Sequence, residues 1–261
     1  MKHLLTLMLG LMSLQGFAGE THFKVVSYNV NFFTKPEIIA QDIQSNENLK
    51  NADVILLQEI TREASQNWDP LTQVAAQLGM QATFIPGTRF RGQDYGNGIL
   101  SRTPLTSIEM ITLPHSKAEN RDNIRSAVIA DTLLPNGETI TIATVHLSVF
   151  FCDKSLAAQL RGEQLEVLLK RLKERGAKNV IFGGDLNTST PWSWTKLQEK
   201  TKSYSYTLSH PHKGWTMKYL HLKLDHLFHQ GNLSVLSHGI GKGSRGSDHL
   251  PIWVDYSTSV Q

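Results

Sequence analysis

An α/β fold with antiparallel hairpins is predicted for this chain by three features: short apolar runs rich in β-branched residues, helical stripes between some of them, and turn signals joining neighbours. The runs Lys24 to Tyr28, Asp53 to Leu57, Ser126 to Ala130, Thr139 to Val145, Asn179 to Phe182 and Pro251 to Asp255 read as strands. The clearest helix covers Leu156 to Leu172, where Ala157, Leu160, Leu165, Leu168 and Leu172 form one stripe and Gly176 stands beyond as a stop. Further helices are expected over Pro36 to Gln44 and Ala64 to Leu78. Leu134-Pro135-Asn136-Gly137, between two strands, marks a hairpin turn.

The start of the chain has its own pattern. Met1-Lys2-His3 precedes an apolar stretch, Leu4 to Met12, that is short for a membrane span, and Gly16-Phe17-Ala18 offers small residues where a signal peptidase reads. We expect residues 1–18 to be a signal peptide and the mature chain, residues 19–261, to be exported to the periplasm or beyond. The mature part has no Pro/Ser-rich linker, charge block or internal repeat, so one domain is expected, acting as a monomer without a stable protein partner. Cys152 is the only cysteine, which excludes an internal disulfide and leaves stability to the core. A net charge of +3, with no Lys/Arg cluster, suits an anionic substrate only weakly.

The informative pattern is what ends the strands. The run Val25 to Tyr28 stops at Asn29, Val54 to Leu57 at Gln58-Glu59, Ile140 to Val145 at His146, and Val180 to Gly184 at Asp185-Leu186-Asn187. Gly246-Ser247-Asp248-His249 precedes the last strand. One acid or amide past a strand is usually turn chemistry. In layered α/β folds, however, strand ends converge on a shared face, so groups distant in sequence meet there. The set combines hard oxygen donors with two imidazoles and almost nothing soft, an inventory that favours Mg²⁺ or Mn²⁺ over thiolate-bound zinc.

The ordered series Ser27-Tyr28-Asn29, Leu57-Gln58-Glu59, Tyr95-Gly96-Asn97-Gly98, Val145-His146-Leu147, Gly184-Asp185-Leu186-Asn187, Leu224-Asp225-His226 and Gly246-Ser247-Asp248-His249 resembles the endonuclease/exonuclease/phosphatase superfamily, the DNase I-like fold. That resemblance implies a four-layered α/β sandwich, with two mainly antiparallel sheets face to face, helices on both outer faces and the active site at one end. It implies Glu59 as the principal metal ligand, helped by Asn29 and Asp248. Asp185 and Asn187 are then expected to hold the scissile phosphate and the attacking water. His249 is expected to take the water's proton with Asp225 holding its ring, and His146 to donate to a phosphate oxygen. The resemblance leaves open whether His249 or Asp185 is the base. It also puts Asn97 and Arg125 near the phosphate.

Other features carry bland readings beside the sharper ones. Arg161 and Gln164, on the side of the long helix that carries Leu165 and Leu168, suggest a hydrogen-bonded arginine supporting the core rather than touching substrate. His210-Pro211-His212 lacks a third ligand at recognisable spacing. Two substrate classes remain: nucleic acid, which the resemblance favours, and a phospholipid or sphingomyelin. A lipid would be reached by exposed apolar groups such as Val149-Phe150-Phe151 or Trp192 and Trp194, for which core packing is the ordinary reading. A catalytically silent binding protein on the same scaffold is the alternative of a different class, and no expected site position is empty.

Overall fold

In the computed structural model, which describes residues 20–33, 35–63, 69–115, 124–134, 136–149, 154–211 and 213–258, each of the six expected strands is present and runs further at its C-terminal end. The order is β1 (Thr21–Asn29), α1 (Pro36–Ser45), β2 (Val54–Arg62), α2 (Pro70–Leu78), β3 (Gln81–Phe90), β4 (Gln93–Ser101), β5 (Leu105–Thr112), β6 (Ser126–Leu133), β7 (Thr139–His146), α3 (Lys154–Arg175), β8 (Val180–Asp185), α4 (Pro191–Ser203), β9 (Thr207–Leu208), β10 (Asp225–Gln230), β11 (Ser234–Ile240) and β12 (Ile252–Thr258). Residues 1–18, Phe150, Phe151, Cys152 and His212 lie outside the described residues.

The strands form two six-stranded sheets, ordered β11-β12-β1-β2-β4-β3 and β5-β6-β7-β8-β10-β9. In each, one central pair is parallel, β1 with β2 and β7 with β8, and the remaining pairs are antiparallel. Period-2 alternation sorts the side chains into layers. Val25, Val54, Leu56, Ile99, Ile252 and Val254 of the first sheet meet Val128, Ala130, Ile140, Ile142, Ile181 and Leu227 of the second in a buried core between them. Their neighbours Val26, Tyr28, Ile55 and Leu57 face outward against Ile39 and Ile43 of α1 and Leu71 and Val74 of α2. On the opposite outer face Ala143, Val145, Val180 and Phe182 pack under Leu165, Leu168, Leu169 and Leu172 of α3 and Leu197 of α4. The result is helix, sheet, sheet, helix, the four layers the motif series implied. Truncating one of these buried leucines to alanine is expected to cost about 2–5 kcal/mol.

The helices differ from expectation in two places. The one expected from Ala64 begins at Pro70, because Asp69 is extended and accepts hydrogen bonds from the Leu71 and Thr72 amides as its N-cap. Residues 64–68 lie outside the described residues. Helix α4 was not expected at all, although Thr190 and Ser193 close a capping box around Pro191. Among the described residues no helix is long and apolar enough to cross a membrane.

Candidate active site

Strand register assembles the site. In the first sheet β1 and β2 run parallel with Asn29 opposite Gln58, and the β2–β4 register shifts between Leu57 and Ile60. That bulge holds Glu59 in left-handed backbone at φ 61°, a conformation costing a non-glycine residue about 1–2 kcal/mol and typical of functional positions. In the second sheet His146 pairs with Asp185, and Asp185 pairs with Asp225. Three chemically active side chains therefore stand side by side across β7, β8 and β10.

The sheets are tied together just below. Gln58 Nε2 donates to Thr144 Oγ1 across the interface at 2.9 Å, so the two strand-end clusters cannot drift apart independently. Glycine matters at Gly183 and Gly184. A Cβ on Gly184 would collide with the Val145 carbonyl oxygen, and one on Gly183 with that of His226. Only a bare backbone lets β8 lie close enough to deliver Asp185.

The loop before β12 supplies the remainder. Two backbone amides, Arg245 and Gly246, donate to the buried Asp42 carboxylate of α1. Lys218 Nζ donates to the Ser244 and Ser247 carbonyls. Backbone bonds from Lys218 to Asp248 and from Leu250 to Thr216 hold the other edge. Asp248 and His249 are thereby fixed from both sides.

Within this frame Asn29 Nδ2 donates to Glu59 Oε1 at 3.1 Å and to Asp185 Oδ2 at 3.0 Å, while its Oδ1 accepts the Asn31 amide. Asp185 Oδ1 accepts the Asn187 amide at 3.0 Å. Asn187, in left-handed backbone, anchors its side-chain nitrogen on the Leu147 carbonyl. His249 Nδ1 donates to Asp225 Oδ2 at 2.8 Å, which leaves Nε2 directed at Asp185 Oδ2, 3.7 Å away. His146 Nε2 lies 3.5 Å from Asp185 Oδ2 and 3.9 Å from Glu59 Oε1, and no hydrogen bond satisfies it.

Arg125 sets the state of His146. Its Nη1 donates to His146 Nδ1 at 3.0 Å and to the Tyr95 hydroxyl at 3.1 Å. An imidazole that accepts at Nδ1 carries its proton on Nε2. Burial, then the Arg125 and His249 charges, hold the ring well below the ordinary histidine pKa, so it is neutral. A neutral Nε2–H donor facing the carboxylates is the outcome. Tyr95 is a functional neighbour that the sequence does not reveal, although it opens the same Tyr-Gly-Asn-Gly stretch as Asn97. Asn97 instead donates to the Ser126 carbonyl at 2.7 Å, and neither it nor Arg125 lines the cavity.

Glu59 and Asp185 are raised in pKa because they are buried together. Burial chiefly lifts Glu59, with Asp248 adding to it. Burial also lifts Asp185, reinforced by Asp225 and Glu59. For His249 burial works against the charged ring, but Asp225, Asp185 and Asp248 outweigh it and raise its pKa. Asp185 and His249 thus form a tightly linked pair.

A cavity of about 150 Å³ opens over this cluster, lined by Glu59, Asp185, Asn187, Asp248 and His249 on its polar side and by Met217, Leu220, Leu222 and Leu224 on its apolar side. Among the described residues the groups whose ligand atoms gather within 4.8 Å are Glu59–His146–Asp185 and Asp185–Asp225–His249. Crowded hard oxygens with the orphaned His146 Nε2 and Asp225 Oδ1 fit a hard divalent cation and an anionic ligand better than they fit each other. Asp248 lines the cavity outside both groups. Asn29 turns its amide nitrogen to Glu59 and Asp185, while its Oδ1 accepts the Asn31 amide.

The remaining sequence candidates fall elsewhere. Gln164 bonds Ser148 through both ends of its amide, and Arg161 Nη1 donates to the Ser148 carbonyl, the supporting role their helix spacing indicated. Arg161 also lines the cavity, which spacing did not foretell. Trp194 stacks on His226 at 4.0 Å, whereas Trp192 is exposed. Buried His210 donates Nε2–H to the Gly239 carbonyl.

Two face-to-face sheets with an acid, amide and imidazole cluster at one end define the DNase I-like sandwich class. The chain belongs to the endonuclease/exonuclease/phosphatase family, whose model matches residues 26–249. It is similar in structure to a family protein from Beutenbergia cavernae DSM 12333, at TM-score 0.75 and 19% identity over 92% of this chain and 72% of that one. The human Nocturnin catalytic domain with bound sulfate anion matches at TM-score 0.68 and 21% identity, over 91% of this chain and 95% of that one. TDP2 of D. rerio complexed with a single-strand DNA product matches at 0.66 and 19%, over 91% and 99%. Curated protein sequences yield no match to this chain.

Proposed function

We propose that the protein is a divalent-metal-dependent phosphodiesterase working by in-line water attack, with nucleic acid as its substrate class. The observation that carries this reading is the convergence of Glu59, Asp185, Asn29 and two histidines on one buried, unneutralised cluster. Nucleic acid is favoured over phospholipid by a neighbour, TDP2, that was crystallised with DNA product. Export through residues 1–18 belongs to the same proposal.

We assign Glu59 as principal ligand of Mg²⁺ or Mn²⁺, with Asn29 and Asp248 as helpers. When bound, such a cation neutralises charge on the non-bridging phosphoryl oxygens. The rest is the work of the chain's own groups. His146 donates its Nε2–H to a phosphoryl oxygen. Asn187 and Asp185 orient the water. Its proton passes to the Asp185–His249 pair, whose 3.7 Å gap spans a single water's reach, while Asp225 fixes Nδ1 so that Nε2 stays aimed at the site.

The test is a substrate panel of plasmid DNA, RNA, sphingomyelin and phosphatidylinositol offered to the mature protein with Mg²⁺ or Mn²⁺, with and without EDTA. We expect polynucleotide cleavage that EDTA abolishes. Cleavage of lipid but not polynucleotide overturns the substrate class, and EDTA-resistant turnover overturns the metal.

A further inference from the structure

A cation buried without an anion needs an explanation. Arg161, on α3, is 4% exposed and lines the same cavity as Glu59, Asp185, Asn187 and His249. Its Nη1 makes one bond, 3.2 Å to the Ser148 carbonyl, and its buried Nε–H has no partner. Among the described residues no carboxylate pairs with it; Asp185 is the acid whose charge acts on it, and burial lowers its pKa below the usual arginine value.

Arg175 has its acids, bonding Glu109, Asp131 and the Ser107 carbonyl. Arg125, whose Nε also has no partner, spends its Nη1 on two side chains, Tyr95 and His146, and lies off the cavity. Desolvating a guanidinium costs several kcal/mol unless a counter-charge compensates it. Among the described residues the hydrogen-bond partner supplied to Arg161 is the Ser148 carbonyl, and its Nε has none. The cavity of about 150 Å³ has Arg161 on one wall and Asp185, Asn187 and His249 on the others, so an anion that enters it meets the guanidinium and the cluster together.

We propose that Arg161 is a substrate-binding residue, donating from the α3 wall to a non-bridging phosphoryl oxygen beside Asp185 and Asn187. The role rests on the phosphoesterase reading above and adds to it a contact that the Ser148 bond alone does not require. A charge-assisted hydrogen bond of this kind is worth about 10- to 100-fold in anion affinity.

Inorganic phosphate is the probe. In mature protein labelled with ¹⁵N-arginine, with the Arg161 resonance assigned by its loss in Arg161→Lys, we expect the Arg161 Nε–H signal to shift as phosphate is added. We also expect phosphate to inhibit hydrolysis of bis-p-nitrophenyl phosphate about 10- to 100-fold less well in Arg161→Gln, with KM raised more than kcat falls. An Arg161 signal unmoved by phosphate, or an unchanged inhibition constant in the glutamine variant, overturns the proposal. If Arg161→Gln does not fold, the wild-type titration decides alone. Absence of any wild-type turnover with Mn²⁺ counts against the phosphoesterase reading, whereas the Nε–H titration, run in EDTA, judges Arg161 separately.

Discussion

Two clusters of charge in this molecule obey opposite rules. Beside the outer edge of the second sheet, Arg171 and Arg175 of α3 meet Glu109 and Asp131 with distances of 2.7–3.2 Å, and every carboxylate faces a guanidinium. At the end of the sandwich, Glu59, Asp185, Asp225 and Asp248 crowd one another, His146 Nε2 and Asp225 Oδ1 have no partner, and among the described residues no acid pairs with Arg161. The first cluster is closed and needs nothing. The second is incomplete by itself, and its deficit matches a cation plus an anion. Charges that satisfy each other stabilise a fold, while charges that do not are held there by the fold for another purpose.

The contrast is broken most visibly by Asp185→Asn. Its activity on bis-p-nitrophenyl phosphate should fall on the order of 10²- to 10⁴-fold. Its thermal midpoint in EDTA should stay at or above the wild-type value, because one member of a mutually repelling buried group is removed. A large drop in stability would place Asp185 among structural groups instead.

Arg175→Ala should behave in reverse. Activity should be unchanged, but urea unfolding should show a loss of about 1–3 kcal/mol, because Glu109 and Asp131 are left without their shared partner. Activity that fell with stability intact would erase the distinction between the clusters.

A smaller effect sharpens it. Hydrogen bonds from Lys200 and then Tyr204 lower the Glu166 pKa to about 2 from an ordinary 4.5. A carboxylate depressed on folding stabilises fully above about 4.5, and that contribution is lost as pH falls through about 2. Wild type should therefore melt slightly above Glu166→Gln at pH 6, and the gap should close by pH 2. A gap that widened in acid would contradict the sign.

What the sequence revealed follows the same division. Asn29, Glu59, His146 and Asp185 were legible because each ends a run of buried alternating residues, where a polar group has no core role. Register then places them together, and no register can be read from one strand alone. Strand β4 was missed because Gly96 and Gly98, pressed against backbone of β3, dilute its apolar pattern. Strand β10 was missed because Asp225 and His226 open it, and helix α4 because its buried face is little more than Ser193, Leu197 and Thr201. For Arg161 helical spacing told which side it faces. Whether anything on that side neutralises it depends on residues far away in sequence.

The most direct test of the incomplete cluster is Mn²⁺-dependent hydrolysis of bis-p-nitrophenyl phosphate by mature wild type and Glu59→Gln, each before and after EDTA. The account predicts wild-type turnover that EDTA removes and Mn²⁺ restores, with the folded glutamine variant reduced on the order of 100-fold or more at the same metal concentration. Turnover that survives chelation, or a glutamine variant as active as wild type, would contradict it.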